Sequence, residues 1–474
     1  MSAYEAVIGL ECHVQLATAS KMFCGCPTDY AGAAPNTHVC PICFGMPGVL
    51  PVMNRTAIEY TLLTGLALNA DIPEATKFDR KNYPYPDLVK GYQISQYDMP
   101  LVKGGSLEIT VGDGPPRTIG LERVHLEEDT GKLTHVAGGS LVDFNRSGVP
   151  LMEMVSQPDL RTPAEARAYL QKLRAILRTL GVSGADMEKG QLRCDVNVSL
   201  RPVGETKLGT KVEVKNLNSF RAVFHSLEFE IARQTELLDK GERIQQETRG
   251  WIEDRGVTVT QRTKEEAHDY RYFPEPDLPP LFVERAWLAE LRACLPELPD
   301  ARAARYMRSF GLGAYDAEAL CIDLVEADLF EATVAAGADA KKAANWIQND
   351  VHRLRAESPD DGHVDARHLA ELIGLLDSGK IGTSAARQVL PEIFRTGKSP
   401  SALVEELGLA QVSDTSELAS AVRSALDANP TAVADYRAGK ATAINFLKGQ
   451  VMKATRGKAN PQVVEDLLRH HLAS

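Results

Sequence analysis

The stretch Val7-Ile8-Gly9-Leu10-Glu11-Cys12-His13-Val14-Gln15-Leu16 alternates apolar and polar residues with a period of two. That is the pattern of a β-strand with one buried face, because successive side chains point to opposite sides. Leu10, Cys12, Val14 and Leu16 take the apolar face, and Glu11, His13 and Gln15 the other. Three more segments repeat the pattern. Residues 124–129 align His125, Glu127 and Asp129; residues 194–199 align Asp195, Asn197 and Ser199; residues 212–216 align Glu213 and Lys215. Together they predict an antiparallel sheet with one apolar face. Cys12 and Cys194 fall on that apolar side and read as core residues.

The polar faces of these strands are unusual in composition. A solvated face ordinarily mixes Thr, Lys, Arg and Ser, whereas here Glu, Asp, His, Asn and Gln dominate. Carboxylates held together repel unless protons or a cation neutralise them. A hard divalent ion such as Mg²⁺, bridging the phosphates of a substrate, would account for the set. A solvated sheet face is the alternative, and spacing alone leaves both open.

Beyond these strands the chain is long and of average composition. At 474 residues it suggests roughly three domains, and 44% hydrophobic and 25% charged residues exclude a disordered, collagen-like or coiled-coil chain. No run reaches the roughly 18 apolar residues of a membrane helix. The N-terminus has no basic residue before Lys21, so neither a leader nor membrane association is expected, and the expected location is cytoplasmic. A net charge of −11 argues against a broad basic surface for nucleic acid but permits a local basic patch.

Texture divides the chain. Residues 1–290 are rich in short alternating segments and read as strands and structured loops, ending in the proline-dense run Phe273-Pro274-Glu275-Pro276-Asp277-Leu278-Pro279-Pro280. Residues 291–405 turn to Ala, Leu, Glu and Arg at helical spacing. A break at Gly408, Ser413 and Thr415 sets off residues 406–474 as a small helical module. The expected class is α+β, with a β-rich cradle, an all-α middle domain and a helical tail.

Four of the eight cysteines cluster: Cys24-x-Cys26, thirteen residues, then Cys40-Pro-Ile-Cys43. Two thiol pairs closing a loop suit tetrahedral Zn²⁺, and four thiolates leave no open position, so the site would be structural. His38 is near enough to substitute for a ligand but is redundant beside four thiols and reads as a loop residue.

Nucleotide-binding fingerprints are missing. Gly397-Lys398-Ser399 resembles the end of a P-loop, but Glu392 stands where the first glycine belongs, so it reads as a turn before Pro400. Two runs combine basic and aromatic residues suited to phosphate clamping and base stacking: Asp79-Arg80-Lys81-Asn82-Tyr83-Pro84-Tyr85-Pro86-Asp87-Leu88-Val89-Lys90-Gly91-Tyr92-Gln93 and His268-Asp269-Tyr270-Arg271-Tyr272-Phe273-Pro274-Glu275-Pro276-Asp277.

Taken in order, these motifs resemble a known family. Val142-Asp143-Phe144-Asn145-Arg146-Ser147-Gly148-Val149-Pro150-Leu151-Met152-Glu153 is similar to the signature of the B subunit of the aspartyl/glutamyl-tRNA amidotransferase. So are Ile8-Gly9-Leu10-Glu11-Cys12-His13, the 79–93 run, Leu126-Glu127-Glu128-Asp129, Glu213-Val214-Lys215-Asn216-Leu217-Asn218-Ser219 and the 268–276 run. The helical remainder resembles the rest of that subunit. The archaeal relative that amidates only Glu-tRNA carries a large insert, for which 474 residues leave little room.

The resemblance implies a glutamine-synthetase-like kinase fold for the cradle. It also implies a heterotrimer with a glutaminase A subunit and a C subunit, acting on tRNA mischarged with Glu or Asp. ATP and Mg²⁺ would phosphorylate the side-chain carboxylate, and ammonia from glutamine would displace the phosphate. Carried over by motif, Glu11, His13, Glu127, Glu128 and Asp195 match the Mg²⁺ and phosphate site. Strand parity favours Glu127, and a bulge would exchange it for Glu128. Arg80, Lys81, Asn82, Tyr83, Asn145, Arg146, Ser147, Lys215 and Asn216 would grip ATP and the aminoacyl end. The resemblance places structural Zn²⁺ on Cys24, Cys26, Cys40 and Cys43. In the tail, Arg437, Lys440, Lys448, Lys453, Arg456 and Lys458 occur without an acidic residue among positions 437–458 and would meet tRNA phosphates. A zinc-stabilised tRNA-binding scaffold, with all chemistry in a partner, is the competing function. A free-standing glutaminase finds no support, since no amidase nucleophile motif or Cys–His pair stands out.

Overall fold

The computed structural model describes residues 3–112, 114–263, 270–358, 362–410, 415–455, 459 and 461–473. His268, Asp269, Arg456 and Lys458, singled out above, lie outside the described residues. The chain divides into two compact units, Met1–Ala301 and Arg302–Ser474. None of its described helices is long and apolar enough to cross a membrane.

The first unit begins β1 (Tyr4–Gln15), α1 (Arg55–Ala67), β2 (Ala75–Thr76), β3 (Asp79–Asn82), β4 (Tyr92–Ser95), β5 (Val102–Lys103), β6 (Ser106–Ile109) and β7 (Arg117–Glu128). It continues β8 (Lys132–Val136), β9 (Gly139–Asp143), β10 (Pro150–Ser156), α2 (Pro163–Thr179), β11 (Leu192–Pro202), β12 (Val212–Lys215) and α3 (Phe220–Asp239). It closes with β13 (Glu247–Ile252), β14 (Val257–Thr263), β15 (Phe273–Pro274), β16 (Leu281–Phe282) and α4 (Arg285–Ala293).

One large sheet carries the strand order β14-β13-β12-β11-β1-β10-β7-β5, with β6 also on β7. The N-terminal strand is therefore central. The alternating segments all fall in this sheet, and their apolar sides share one core: Leu10, Cys12 and Val14 of β1 with Tyr169, Leu170 and Leu173 of α2 and Val223 and Leu227 of α3. Each buried side chain of this size contributes about 1.5–3 kcal/mol of transfer free energy. The helices begin where the sequence lets them: Thr162 accepts a hydrogen bond from Glu165 N ahead of Pro163, and Ser219 accepts one from Ala222 N.

Two features of this unit depart from the sequence expectation. It is not only strands and loops, because α1, α2 and α3 supply the cover for the apolar face of the sheet. Nor is the sheet wholly antiparallel, since β12 pairs with β13 in parallel. Parallel neighbours need a long crossover, and α3 provides it.

Apart from α4 and the first residues of the helix Pro299–Phe310, the helices beyond residue 283 belong to the second unit, in which the described elements are all helical. Its buried apolar residues form two separate clusters, one drawn from residues 303–404 around Tyr306 and Phe330, the other from residues 418–472 around Val422 and Leu447. Gly397 ends one helix at φ 67°, and Ser399 caps the next ahead of Pro400, so Gly397-Lys398-Ser399 is a turn between helices.

Candidate functional site

Strand register assembles the polar face. Glu11 of β1 lies opposite Asp195 of β11, and His13 lies opposite Glu153 of β10. Glu153 in turn lies opposite His125 of β7. A row of acidic and imidazole groups thus crosses four adjacent strands, with the Glu153 carboxylate between two imidazoles. Its Oε2 is 3.4 Å from His13 Nε2 and 3.4 Å from His125 Nε2. Glu127 stands 3.7 Å from His13 and 3.9 Å from His125, and Glu11 stands 3.8 Å from His13. These separations exceed the 2.7–3.2 Å of a good N–H···O bond, so the groups surround a common space rather than satisfy one another. His125 Nδ1 is buried without a hydrogen-bond partner.

Electrostatics show the strain of holding these groups together. Burial and the neighbouring Glu153 charge push the Glu11 carboxyl up to about 7, against the opposing pull of His13. Burial disfavours the charged form of His13, yet Glu153, Glu127 and Glu11 outweigh it and lift that imidazole to about 9. Burial dominates at His125, which is held below its ordinary range. Burial would also raise Glu153, but His125, His13 and Lys81 hold it well below the usual carboxylate range. Two ligand groups, Glu11–His13–Glu153 and His125–Glu127–Glu153, are each compact enough to hold one metal ion. Oxygen and imidazole donors of this kind suit a hard or borderline divalent cation.

The row opens onto a cavity of about 350 Å³ lined in part by His13, Lys81, Tyr83, Glu127, Asp129, Arg193, Asp195, Lys215 and Asn216. Lys81 is held well above its ordinary range: burial opposes its charge, but Glu127, Tyr272 and Glu153 more than compensate. Its Nζ sits 5.2 Å over the Tyr270 ring. Lys215 pairs with Asp195 at 2.6 Å and Glu213 at 3.4 Å. Asn216 takes φ 65°, the left-handed region that Asn tolerates, as the chain turns away from β12. Asp129 accepts hydrogen bonds from Gln15 and Arg193, each 2.8 Å, at the far wall.

The structure brings together Glu11, His13, Glu127, Asp195, Lys81, Tyr83, Lys215 and Asn216. It separates the others. No bulge falls at Glu127 or Glu128; the register shift lies at Val155 and Ser156. Glu128 therefore points away from the imidazoles, pairing with Lys90 and accepting from Ile94 N at 3.1 Å. Arg80 makes a two-pronged ion pair with Glu275, at 2.7 and 2.8 Å. Asn82 donates to the Arg271 carbonyl. Asn145 donates to Ala34 O and accepts from His38 N, fastening the cysteine loop. Arg146 donates to the carbonyls of Thr130 and Gly131, and the Ser147 amide closes a turn onto Phe144 O. None of these lines the cavity.

Glu153 is the residue sequence reasoning passed over, although it ends the quoted 142–153 motif. Its signal was a single carboxylate inside Pro150-Leu151-Met152-Glu153-Met154-Val155, an otherwise apolar strand.

The four clustered cysteines converge as a separate centre, with all four sulfurs within 4.8 Å of one another. Cys43 Sγ lies 3.9 Å from Cys40 Sγ and 4.0 Å from Cys26 Sγ. A tetrahedral shell with bonds of about 2.3 Å separates its ligands by about 3.8 Å, so the set fits Zn²⁺. Hydrogen bonds from neighbouring thiol and amide groups, with nearby Lys21, hold the Cys43 thiol down at about 4. His38 is half-buried, with Nδ1 4.0 Å from Asp29 and outside the sulfur group. In the tail, Lys440 pairs with Asp435 and Lys448 with Glu465, while no ion pair among the described residues engages Arg437 or Lys453.

An α+β chain whose sheet gathers carboxylates and imidazoles beside a lysine-lined cavity is, as a class, a catalytic cradle joined to a helical unit. Residues 6–289 match the family model described as the GatB/GatE catalytic domain, and residues 328–472 match that described as the GatB domain. The chain belongs to the family of the B subunit of the aspartyl/glutamyl-tRNA(Asn/Gln) amidotransferase. It is 56% identical over 476 residues to the protein of that name from Moorella thermoacetica, covering 99% of this chain and 100% of the relative. The protein of that name from Carboxydothermus hydrogenoformans is 52% identical over 481 residues, covering 100% of both chains. That from Roseiflexus castenholzii is 54% identical over 480 residues, covering 99% of each.

Proposed function

We propose that this chain is the carboxylate-activating and tRNA-binding subunit of a glutamine-hydrolysing, tRNA-dependent amidotransferase acting in the cytoplasm. The substrates are Glu-tRNA(Gln), Asp-tRNA(Asn) or both, and the partners are a glutaminase A subunit and a C subunit. The observation that carries this is the Glu153-centred row, which leaves three carboxylates and two imidazoles around one space beside Lys81. A scaffold gains nothing from such repulsion.

A carboxylate is a poor acylating agent because its leaving group would be oxide. Attack of the substrate's side-chain oxygen on the γ-phosphorus of ATP forms an acyl phosphate and releases ADP. Nitrogen of ammonia then attacks the acyl carbon, inorganic phosphate departs, and the nitrogen loses a proton to give the amide. Glu11, His13, Glu127 and Glu153, with Asp195 adjoining, are the residues that would hold Mg²⁺, which supplies charge neutralisation of the phosphates. Lys81 and Lys215 face the same cavity and suit phosphate oxygens; Tyr83 and Asn216 bound the substrate. Arg80, Asn82, Asn145, Arg146 and Ser147 hold the surrounding loops in register. A glutamine-synthetase-like kinase fold for the cradle, a three-part division at residues 290 and 405, and tRNA contacts from Arg437, Lys440, Lys448 and Lys453 complete the assignment. Zn²⁺ on Cys24, Cys26, Cys40 and Cys43 is structural.

The test is phosphate transfer in the assembled heterotrimer with γ-labelled ATP, Mg²⁺ and mischarged tRNA, without glutamine or ammonia. Hydroxylamine-trappable acyl phosphate, lost in Glu11→Ala while tRNA affinity holds, is expected. Wild-type tRNA binding with no trappable product would make the chain a scaffold.

A further inference from the structure

Among the described residues, Lys21 is the only Lys or Arg whose whole residue is buried, at 1% exposure. Burying an ammonium is expensive unless an anion meets it. Other part-buried lysines of the first unit meet carboxylates: Lys77 with Asp79, Lys90 with Glu128, Lys215 with Asp195. No carboxylate among the described residues pairs with Lys21. Its Nζ donates to the carbonyl of His38 at 2.7 Å, approaches that of Phe144 at 3.4 Å, and lies 3.6 Å from Cys43 Sγ. The anion that belongs beside this cation is therefore sulfur. Four thiolates around a divalent ion carry a net charge of −2, and one fixed ammonium cancels half of it.

We propose that Lys21 is the built-in counter-charge of a metal–tetrathiolate centre at Cys24, Cys26, Cys40 and Cys43, raising its affinity for the ion. This rests on the zinc assignment above. Lys21 is a positioning and charge-balancing residue, not a ligand. Its contacts to His38 O and Phe144 O also place it between the cysteine loop and the 143–148 turn, where Gly148 at φ +87° would put a Cβ 3.4 Å from Lys21 Cδ.

The experiment uses the full chain as wild type, Lys21→Met, Lys21→Gln and Lys21→Arg. Zinc content and chelator competition give affinity, and Co²⁺ substitution gives the sulfur-to-metal charge-transfer band. Loss of charge in Met and Gln is expected to weaken zinc about 10- to 100-fold, the usual cost of removing an outer partner of a metal site. The Co²⁺ band should shift to lower energy in both, because an uncompensated thiolate gives up its electron more easily. Gln keeps donors for the two carbonyls, so packing alone would spare it. Arg should retain affinity and band position. Unchanged affinity and band in Met and Gln would overturn the proposal while leaving the zinc site standing. A wild-type chain that takes up neither ion would overturn both. If Met and Gln fail to fold while Arg folds, the charge is required; if Arg fails with them, shape is what matters and the counter-charge falls.

Discussion

The same sheet carries two buried charge clusters, and they are built on opposite plans. Where α3 meets β13 and β14, Glu230 accepts from Arg233 at 3.0 Å, Gln234 at 2.9 Å and Thr258 at 3.0 Å. Beside it, Glu247 accepts from Arg249 and Thr260, each at 2.7 Å. Two carboxylates face two guanidiniums and every carboxylate oxygen is engaged, with Gln234 Oε1 the atom left without a partner. The Glu153 row has three carboxylates at looser separations of 3.4–3.9 Å from its imidazoles. None of these contacts reaches ordinary hydrogen-bond length, and His125 Nδ1 has no partner. One cluster fastens an element; the other leaves its donors around an open space.

The comparison can be broken by exchanging the consequences. Glu230→Ala removes the carboxylate that Arg233, Gln234 and Thr258 share and should cost about 3–5 kcal/mol of stability, as removal of one partner from a buried pair does. Divalent-cation binding should be unchanged; denaturant melts and Mn²⁺ titration measure the two. A loss of cation affinity with little loss of stability would erase the distinction.

Glu153→Gln should do the reverse. Removing the shared ligand should weaken Mn²⁺ binding by more than about 100-fold, about 2.7 kcal/mol. Stability in chelator should fall by less than in Glu230→Ala: the variant no longer answers His13 and Lys81, but it also relieves the repulsion with Glu11. Adding cation at 100 times its Kd should stabilise the wild type by about 2.7 kcal/mol and leave the variant unmoved. A variant that loses as much stability in chelator as Glu230→Ala, with Mn²⁺ affinity unchanged, would mean the row is a structural cluster after all.

The smallest effect sharpens the picture at the cavity wall. Burial would raise Asp129, but Arg193, Arg146 and Gln15 hold its carboxyl below the ordinary 3.8. A depressed carboxylate contributes stability that is present above its unfolded value and is lost as pH falls through the folded one. Asp129→Asn should therefore flatten the decline of stability below about pH 4. Parallel acid limbs in wild type and variant would show that Asp129 is not a source of it.

Much of this was legible because a strand has a fixed period. The facing of Glu11, His13, His125, Glu127 and Asp195 follows from parity alone, and the four cysteines declare themselves by spacing. Glu153 escaped because Leu151, Met152, Met154 and Val155 make its strand read as buried on both sides, and its neighbours come from distant segments. Asn145 and Arg146 look like ligand-binding residues in sequence, yet their donors serve backbone carbonyls, which have no sequence signature. The parallel β12–β13 pairing depends on which way α3 returns, which local pattern does not encode.

The central position of β1 sets a schedule for how the molecule is made. It leaves the ribosome before the strands it pairs with, and its contact from Leu10 to Ser156 spans 146 residues and that from Cys12 to Cys194 spans 182. At about 5–20 residues per second, the strand waits roughly 10–40 s for its second neighbour. Until β10 emerges both of its edges are unpaired, and one stays unpaired until β11 follows, the condition in which strands recruit one another between chains. The strand carrying Glu11 and His13 is thus the one most exposed to misassembly during synthesis, and the half-made chain is the state that chaperones would be expected to hold.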